Sequence, residues 1–345
     1  MNTIQMKNIC LTLSKFVKAD AIRPITDLVA LVTKNGKLYL CHTDRDNATI
    51  FGKIDCDVEI PYTIINLTNL IRVLKATTVD EVYLKRYDDY LQFKGNGTYK
   101  LKIQLDENGN EFRLPVNIPK ETGKEFTVEP FSLVFARNHK FLDLENLPDN
   151  YSRYYCNGEY TVTTDSIVIA ATKFNSHISE LNPAMVESMS VFTEPITVTE
   201  CENGYRMKCG DYSAIYYTEK TTDYPVDTIM PFITDSAEYI GSLKLNRKDF
   251  IKAISRQDIF KSLTGEQTLL LTFGTDCVKM ENEQGTFYEE FPCEGKCQEI
   301  KVKVFTNFLL NILRLMEDNL VINITQNTMV LEDSIGKYVI AAEVC

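Results

Sequence analysis

The sequence predicts an α+β fold built from three similar modules, each with two helices packed on antiparallel strands. Three observations lead there. Short runs of alternating apolar and polar residues, cut by turn residues, recur in three sets along the chain, the pattern of half-buried antiparallel sheet. Each set follows a segment whose apolar residues fall at helical spacing. The 345 residues divide into thirds of about 115, an ordinary domain size.

Taken in order, the first module opens with Ile9, Leu13, Phe16 and Val17 on one helical face. A strand block follows, marked by Tyr39-Leu40-Cys41-His42-Thr43-Asp44, with the hairpin dipeptide Asn35-Gly36 just before it. Leu67, Leu70, Ile71 and Leu74 fall at i, i+3, i+4 and i+7 and predict a second helix. Strands are then expected over 82–87, 90–93 and 99–103. The second module repeats this order: Phe131, Val134 and Phe135 start a helix, and a strand block covers 160–165. Met185, Val186 and Met189 follow Asn182-Pro183, a helix-start signal, and lead to strands at 196–199, 205–207 and 214–217. In the third module Phe250-Ile251-Lys252-Ala253 echoes Phe16-Val17-Lys18-Ala19. Phe305, Phe308, Leu309, Ile312 and Met316 make a strong apolar stripe before strands at 320–322, 329–331 and 337–340. The modules are expected as 1–124, 125–240 and 241–345. The stretches 115–119 and 225–231 are proline-bearing, lack periodicity and suit connections.

With 44% apolar and 25% charged residues, the chain is expected to build packed cores rather than a disordered tail. Fifteen glycines and eleven prolines exclude collagen-like and linker-like chains. No apolar run approaches the roughly 18–20 residues that span a bilayer, and residues 1–16 lack a cleavage signal, so no membrane segment and no signal peptide are expected. Ten scattered cysteines suggest reduced thiols in a cytosolic compartment. The net charge of −11, from 37 basic and 48 acidic residues, excludes a uniformly basic nucleic-acid binder. It leaves open a chain that segregates its charge.

Cations recur on the expected helices. Lys7, Lys15 and Lys18 lie opposite Ile9, Leu13 and Phe16, and Arg72 and Lys75 lie away from Leu67, Leu70 and Leu74. Arg137 and Lys140, then Lys248, Lys252 and Arg256, continue the bias, and Arg314 lies opposite Leu309 and Ile312. Any one solvated helix carries lysine. The bias across helices of an acidic chain points further, to a surface that meets phosphate without reading bases. The segment around Met185 breaks the pattern with Glu187. Acidic residues gather elsewhere, as in Asp44, Asp46, Asp55, Asp57 and Glu59, and in Glu281, Glu283, Glu289 and Glu290.

Catalytic chemistry is thinly represented. Neither glycine-rich phosphate-binding motif is present. His42, His139 and His177 have no neighbouring nucleophile, and Cys293 with Cys297 falls short of the four ligands of a zinc site. No catalytic residue, no cofactor and no metal is therefore expected. The carboxylates Asp44, Asp46, Asp55 and Asp57 suit either an acidic exterior strand or a metal-dependent nuclease.

Over the whole chain, this pattern resembles the bacterial-type DNA sliding clamps, the β-clamp processivity factors of replicative polymerases. Tyr151-Ser152-Arg153-Tyr154-Tyr155-Cys156-Asn157-Gly158 is similar to the family's Arg-Tyr-Tyr-x-Asn-Gly segment. Thr164-Asp165-Ser166 resembles its Thr-Asp-Gly, although Ile167-Val168-Ile169-Ala170 replaces the usual His-Arg-Leu-Ala. Ala21-Ile22-Arg23-Pro24 resembles the Arg-Pro after the first helix. The terminal 338–345 resembles the final strand without its usual Met-Pro-Met-Arg-Leu ending. The eroded motifs suggest a divergent member, whether from a cell or a virus.

The resemblance implies three DNA-clamp domains per chain, forming part of a closed ring as a head-to-tail homodimer. It implies a non-enzymatic processivity factor working in the cytoplasm of a bacterial cell or a phage-infected host. The implied partners are double-stranded DNA without sequence preference, a DNA polymerase, a clamp loader and other proteins with a clamp-binding motif. The DNA-facing set is then Lys15, Lys18, Arg23, Arg72, Lys75, Arg137, Lys140, Lys248, Lys252 and Arg314; Arg23 rests on the motif and the others on helical phase. The family's partner-peptide pocket, carried over by motif, includes Tyr154, Thr164, Ser166, Ile167, Ile169, Pro231, Val339 and Ala341. Residues 101–105 and 269–271 are the expected edges of the ring junction, with inner strands as the alternative. A recruitment platform of the same fold, serving transcription, repair or nuclease partners, is the alternative function.

Overall fold

The computed structural model describes residues 1–148, 150–218, 223–234, 239–257, 268–283, 285–297 and 299–344. Helix α1 (Thr3–Phe16) precedes β1 (Leu28–Lys34), β2 (Lys37–Thr43), β3 (Ala48–Asp55) and β4 (Thr63–Asn66). Helix α2 (Leu67–Ala76) then leads to β5 (Tyr83–Arg86), β6 (Tyr90–Lys94), β7 (Thr98–Lys102) and β8 (Glu121–Val128). Next come α3 (Ser132–Asn138), β9 (Tyr154–Cys156), β10 (Tyr160–Thr164), β11 (Val168–Lys173) and β12 (Glu180–Leu181). Helix α4 (Pro183–Met189) is followed by β13 (Ile196–Cys201), β14 (Gly204–Cys209) and β15 (Tyr212–Tyr217). Two single turns, α5 (Val226–Ile229) and α6 (Pro231–Thr234), precede β16 (Gly241–Asn246) and α7 (Arg247–Arg256). The last stretch holds β17 (Thr268–Phe273), β18 (Cys277–Asn282), β19 (Tyr288–Pro292), β20 (Glu294–Cys297) and β21 (Ile300–Phe305). Helix α8 (Thr306–Leu313) then precedes β22 (Asn319–Ile324), β23 (Thr328–Glu332), β24 (Gly336–Ala341) and β25 (Glu343–Val344). The architecture is α+β with antiparallel sheets.

Each expected helix is found, and the causes are local. Asn2, Asn66 and Asn246 are extended N-caps whose side chains accept from the backbone N–H three residues on. Pro183 stands at the first position of α4, where its missing N–H costs nothing. The apolar stripes are buried as their spacing requires: Ile9 and Leu13 in α1, Leu67, Leu70 and Leu74 in α2, Leu309 and Ile312 in α8. The stretch 225–231 departs from expectation. Val226, Ile229, Met230 and Ile233 keep i, i+3, i+4, i+7 spacing across Pro231, and the last three are buried.

The chain forms two compact units, Met1–Ser132 with Ala184–Lys220, and Leu133–Pro183 with Thr221–Cys345. The middle third of the sequence contributes to both. The first unit holds a sheet of order β4-β1-β2-β3-β15-β14-β13-β8 and a second of order β5-β6-β7. The second unit holds β12-β9-β10-β11-β24-β23-β22-β16-β20 and β19-β18-β17-β21-β25. The two large sheets share one plan: four strands from one part of the chain abut strands from a later part at a single seam.

At the first seam Ala48–Gly52 of β3 pairs with Tyr212–Tyr216 of β15. At the second, Val168–Thr172 of β11 pairs with Gly336–Ile340 of β24. The strands approach closely enough that a Cβ on Gly336 would run into the Ala171 carbonyl. The expected edge at 269–271 is a correction: these leucines lie in β17, flanked by β18 and β21, with Leu269 and Leu271 fully buried. The terminal strands of that sheet are β19 and the two-residue β25. The expected edge at 101–105 fits better, since β7 is terminal in its sheet and Ile103 alone bridges to Ile65.

Because the Gly336 contact is with backbone, Gly336→Ala should lower the stability of the second unit by about 1–3 kcal/mol. Denaturant unfolding measures this against Gly97→Ala, whose added methyl finds only ordinary contacts with Tyr99.

Candidate functional site

The longer helices are poor in carboxylates, and α1, α2 and α7 carry several cations. Helices α1, α2, α3 and α8 contain no carboxylate at all, and the only acidic residues in α4 and α7 are Glu187 and Asp249. This segregation stands in a chain with 48 acidic residues. In the first unit Lys15, Lys18, Arg23, Arg72 and Lys75 are all exposed. Helices α1 and α2 pack against each other and bury their leucines, which leaves these cations to solvent. In the second unit Lys140, Lys248, Lys252 and Arg314 are exposed.

Several of these cations are already balanced. Lys18 Nζ sits 2.5 Å from Glu187 Oε1, Lys248 Nζ 2.7 Å from Asp318 Oδ2, and Lys252 Nζ 3.0 Å from Asp249 Oδ1. Arg23 lies 3.8 Å from both Asp20 and Asp46. The flanking Lys248 and Arg247 hydrogen-bond the Asp318 carboxylate and hold its pKa below the ordinary range. Such exposed pairs are screened by salt and individually weak.

Arg137 is a correction. Expected on the exposed face of α3, it is buried at 3% exposure. It donates from Nη1 to Asp333 Oδ2 at 2.9 Å and from Nη2 to Oδ1 at 3.1 Å. Nη1 also donates to the Leu315 carbonyl at 3.2 Å, and the guanidinium lies 5.2 Å from the Tyr338 ring. Asp333 accepts in addition from the backbone N–H groups of Glu317, Ile335 and Gly336. The physical reason is helical phase: Arg137 falls at i+3 from the buried Val134, on the core side, next to the buried Asn138. The pair still leaves Arg137 Nε without a hydrogen bond.

The second candidate site is an apolar pocket of about 280 Å³ in the second unit. The structure brings Thr164, Ser166, Ile167, Ile169, Val339 and Ala341 together around it. The β10–β11 turn aims these groups. Asp165 Oδ1 accepts from Ile167 N (3.0 Å) and Val168 N (2.7 Å), and Thr164 Oγ1 donates to the Val168 carbonyl. Ser166 takes φ +74°, the left-handed region a glycine adopts freely, in keeping with the Thr-Asp-Gly resemblance. Ile167 is left 40% exposed at the rim. The β11–β24 seam sets Ile169 directly opposite Val339 on the floor.

Tyr154 and Pro231 do not line the pocket. Tyr154 is fully buried beneath it, its hydroxyl 3.1 Å from His139 Nδ1. Pro231 is exposed and starts α6, and the next residue, Phe232, lines the pocket at 50% exposure. Sequence reasoning missed Leu147, Tyr151, Thr228, Ile229, Phe232 and Thr328. The signal for Ile229 and Phe232 was the helical spacing of 226–233, hidden by two prolines. Tyr151 opens the recognised aromatic segment, whereas nothing local marked Leu147 or Thr328. Among the described residues no charged side chain lines the pocket, so it suits apolar side chains with a few hydroxyls to orient them.

The remaining candidates have structural duties. His42 is buried, with Nδ1 2.7 Å from the Leu28 carbonyl and Nε2 3.2 Å from that of Val17, and burial pushes its pKa down. Asp44 caps the β2–β3 turn through Asn47 N and Ala48 N. Asp55 pairs with Lys37 at 3.5 Å. Among the described residues, no cluster of three or more His, Cys, Asp or Glu could hold a metal. The nine described cysteines are free thiols. No described helix is long and apolar enough to cross a membrane.

No family model and no curated protein matches this chain. Among solved structures it is similar to the DNA polymerase III beta subunit of Thermotoga maritima, at 12% identity and TM-score 0.81, covering 99% of this chain and 98% of the other. It is similar to the DNA polymerase sliding clamp of Bacillus subtilis, at 12% identity and TM-score 0.79, over 99% and 97% of the two chains. It is also similar to the DNA polymerase III subunit beta of Pseudomonas aeruginosa, at 13% identity and TM-score 0.79, over 99% and 98%. These likenesses establish the fold, that of the bacterial beta sliding clamps.

Removing one member of the buried ion pair strands the other. Asp333→Ala should cost about 3–5 kcal/mol. Replacing both partners with apolar residues, Arg137→Met with Asp333→Leu, should cost distinctly less, and denaturant unfolding of the three proteins measures the difference.

Proposed function

We propose that this chain is a DNA sliding clamp, which closes with a second copy into a ring around duplex DNA and tethers a DNA polymerase there. One observation carries the reading: a seam used twice within the chain leaves one unpaired strand of each kind. Strands β3 and β11 give their outer edges to β15 and β24. In the strand order β19 holds the position of β3 and β11, and β7 that of β15 and β24. Pairing β19 of one copy with β7 of the other repeats the seam head to tail and closes both ends.

The chemistry of the two edges supports this. Strand β7 carries Lys100 and Lys102, and β19 carries Glu289 and Glu290. Leu101 and Phe291 are the buried residues of their strands. Any antiparallel register that keeps those two on one face sets Lys100, Lys102 and Glu290 together on the other. On this reading the chain holds three modules, 1–124, 125–240 and 241–345, and the ring holds six.

The DNA-facing set is then Lys15, Lys18, Arg23, Arg72, Lys75, Lys140, Lys248, Lys252 and Arg314, without Arg137. Their attraction to phosphate is diffuse and salt-dependent. The neighbouring carboxylates moderate it, which suits a ring that slides rather than grips. The apolar pocket takes a short apolar segment from a polymerase, a clamp loader or another partner, in the cytoplasm of a bacterial cell or a phage-infected host. Ile167 in place of the family's usual polar residue favours a shifted motif preference, and so keeps a recruitment platform for other partners as the second reading.

Sedimentation at micromolar concentration should give twice 39.5 kDa. Lys100→Glu with Lys102→Glu should yield monomer, and adding Glu290→Lys should restore association. A wild-type monomer, or a double variant that still dimerises fully, would refute the edge pairing. Once loaded, the protein should stay on nicked circular DNA and run off when the circle is linearised. Equal loss from both would sink the sliding reading. Phe232→Ala should weaken capture of the polymerase at least tenfold while leaving the dimer intact.

A further inference from the structure

A second groove lies in the first unit, on the face of β1–β3 turned away from α1. The alternation of the strands builds it. Leu38, Leu40, Ile50 and Gly52 face the helix, where a Cβ on Gly52 would crowd Ile9 and Leu13. The opposite face carries Val32 across from Tyr39, and Cys41 across from Phe51, all four only partly buried. The segment after β7 forms the far wall. Leu114 is buried against Ala30 and Tyr62, and its N–H donates to the Tyr62 hydroxyl at 2.9 Å. The resulting cavity has a volume of about 660 Å³. Burial pushes the Cys41 thiol up to about 12, so it serves as an apolar lining atom rather than a nucleophile.

Charge at the rim selects the occupant. Lys37 and Lys53 at this face are balanced by Asp55 and Asp211, at 3.5 and 3.8 Å. Lys34 and Arg113, which line the groove, are exposed and have no ion-pair partner among the described residues. Arg113 instead lies over the Tyr62 ring, 5.4 Å from its centroid. Two uncompensated cations flanking an apolar floor are conspicuous in a chain of net charge −11. The pocket of the second unit, by contrast, has no charged lining residue among those described.

We propose that this groove is a second peptide-docking site, which takes an extended apolar segment bearing carboxylates, its apolar side chains on Val32, Tyr39 and Phe51 and its carboxylates at Lys34 and Arg113. Apolar burial supplies the affinity and the cations supply sign selectivity. The site is independent of ring closure and of the other pocket.

The test uses the full chain and two fluorescein-labelled hexapeptides, Val-Asp-Tyr-Asp-Val-Asp, whose apolar and acidic side chains alternate, and the same peptide with lysine for aspartate. Fluorescence anisotropy should show the acidic peptide binding at least tenfold more tightly. Lys34→Glu with Arg113→Glu should reverse that preference, and Phe51→Asp should abolish the tighter binding of the acidic peptide, with the melting temperature checked in parallel. Phe232→Ala, in the other pocket, should leave the acidic peptide's affinity unchanged. Equal binding of the two peptides, an unaltered preference in the charge-reversed variant, or loss of acidic-peptide binding in Phe232→Ala would each overturn the proposal. So would a change of sedimentation mass in the charge-reversed variant, which would assign the groove to a second copy of this chain.

Discussion

Main-chain hydrogen bonding across the seam is the constraint on which the rest depends. An antiparallel strand that lacks a neighbour leaves N–H and C=O groups unpaired. Each unit answers this by joining strands distant in sequence, β3 to β15 and β11 to β24. The seam places Ile169 opposite Val339 and so floors the pocket. It also aligns the large sheets so that their other faces receive the helices. The same rule explains why β7 and β19 stand out: they are built like seam strands and end their sheets.

The second unit adds a polar lock to that seam. Arg137 and Asp333 bring a charge from α3 and a charge from the β23–β24 turn into a space that excludes water. Desolvating two ions is costly, and the bidentate geometry with three backbone donors to Asp333 offsets it. Asn138 extends the lock, donating to the carbonyls of Thr161 and Ala170 and accepting from Thr172. The turn that Asp333 organises begins at the end of β23 and releases the chain into β24, the strand that carries Val339 and Ala341. The strand that forms the pocket wall is therefore anchored by hydrogen bonds at its other end.

Much of this was legible in the sequence, because periodicity is a local property. The stripes of α1, α2, α7 and α8 and the strand triplets β5–β7, β13–β15 and β22–β24 all follow from spacing alone. Six pocket residues followed from motifs around the β10–β11 turn and the last strand. The failures have physical causes. Arg137 looked like a solvent-facing cation although its phase from Val134 puts it on the core side of α3, because the carboxylate that makes its burial tolerable lies 196 residues away. Residues 269–271 are apolar enough for an interface but equally apt for the middle of a sheet. The helical turns at 226–234 were masked by prolines, which here sit at turn starts, where they are tolerated.

A join made of peptide groups is indifferent to most side chains. Every residue except proline carries the same donor and acceptor, so a seam like that between β11 and β24 constrains spacing, alternation and an occasional glycine. The letters can then differ widely while the outline is the same, and identities of 12–13% coexist here with TM-scores of 0.79 to 0.81 over whole chains. A fold held in this way is specified by main-chain geometry, which absorbs far more change in the letters than a lock made of particular side chains could.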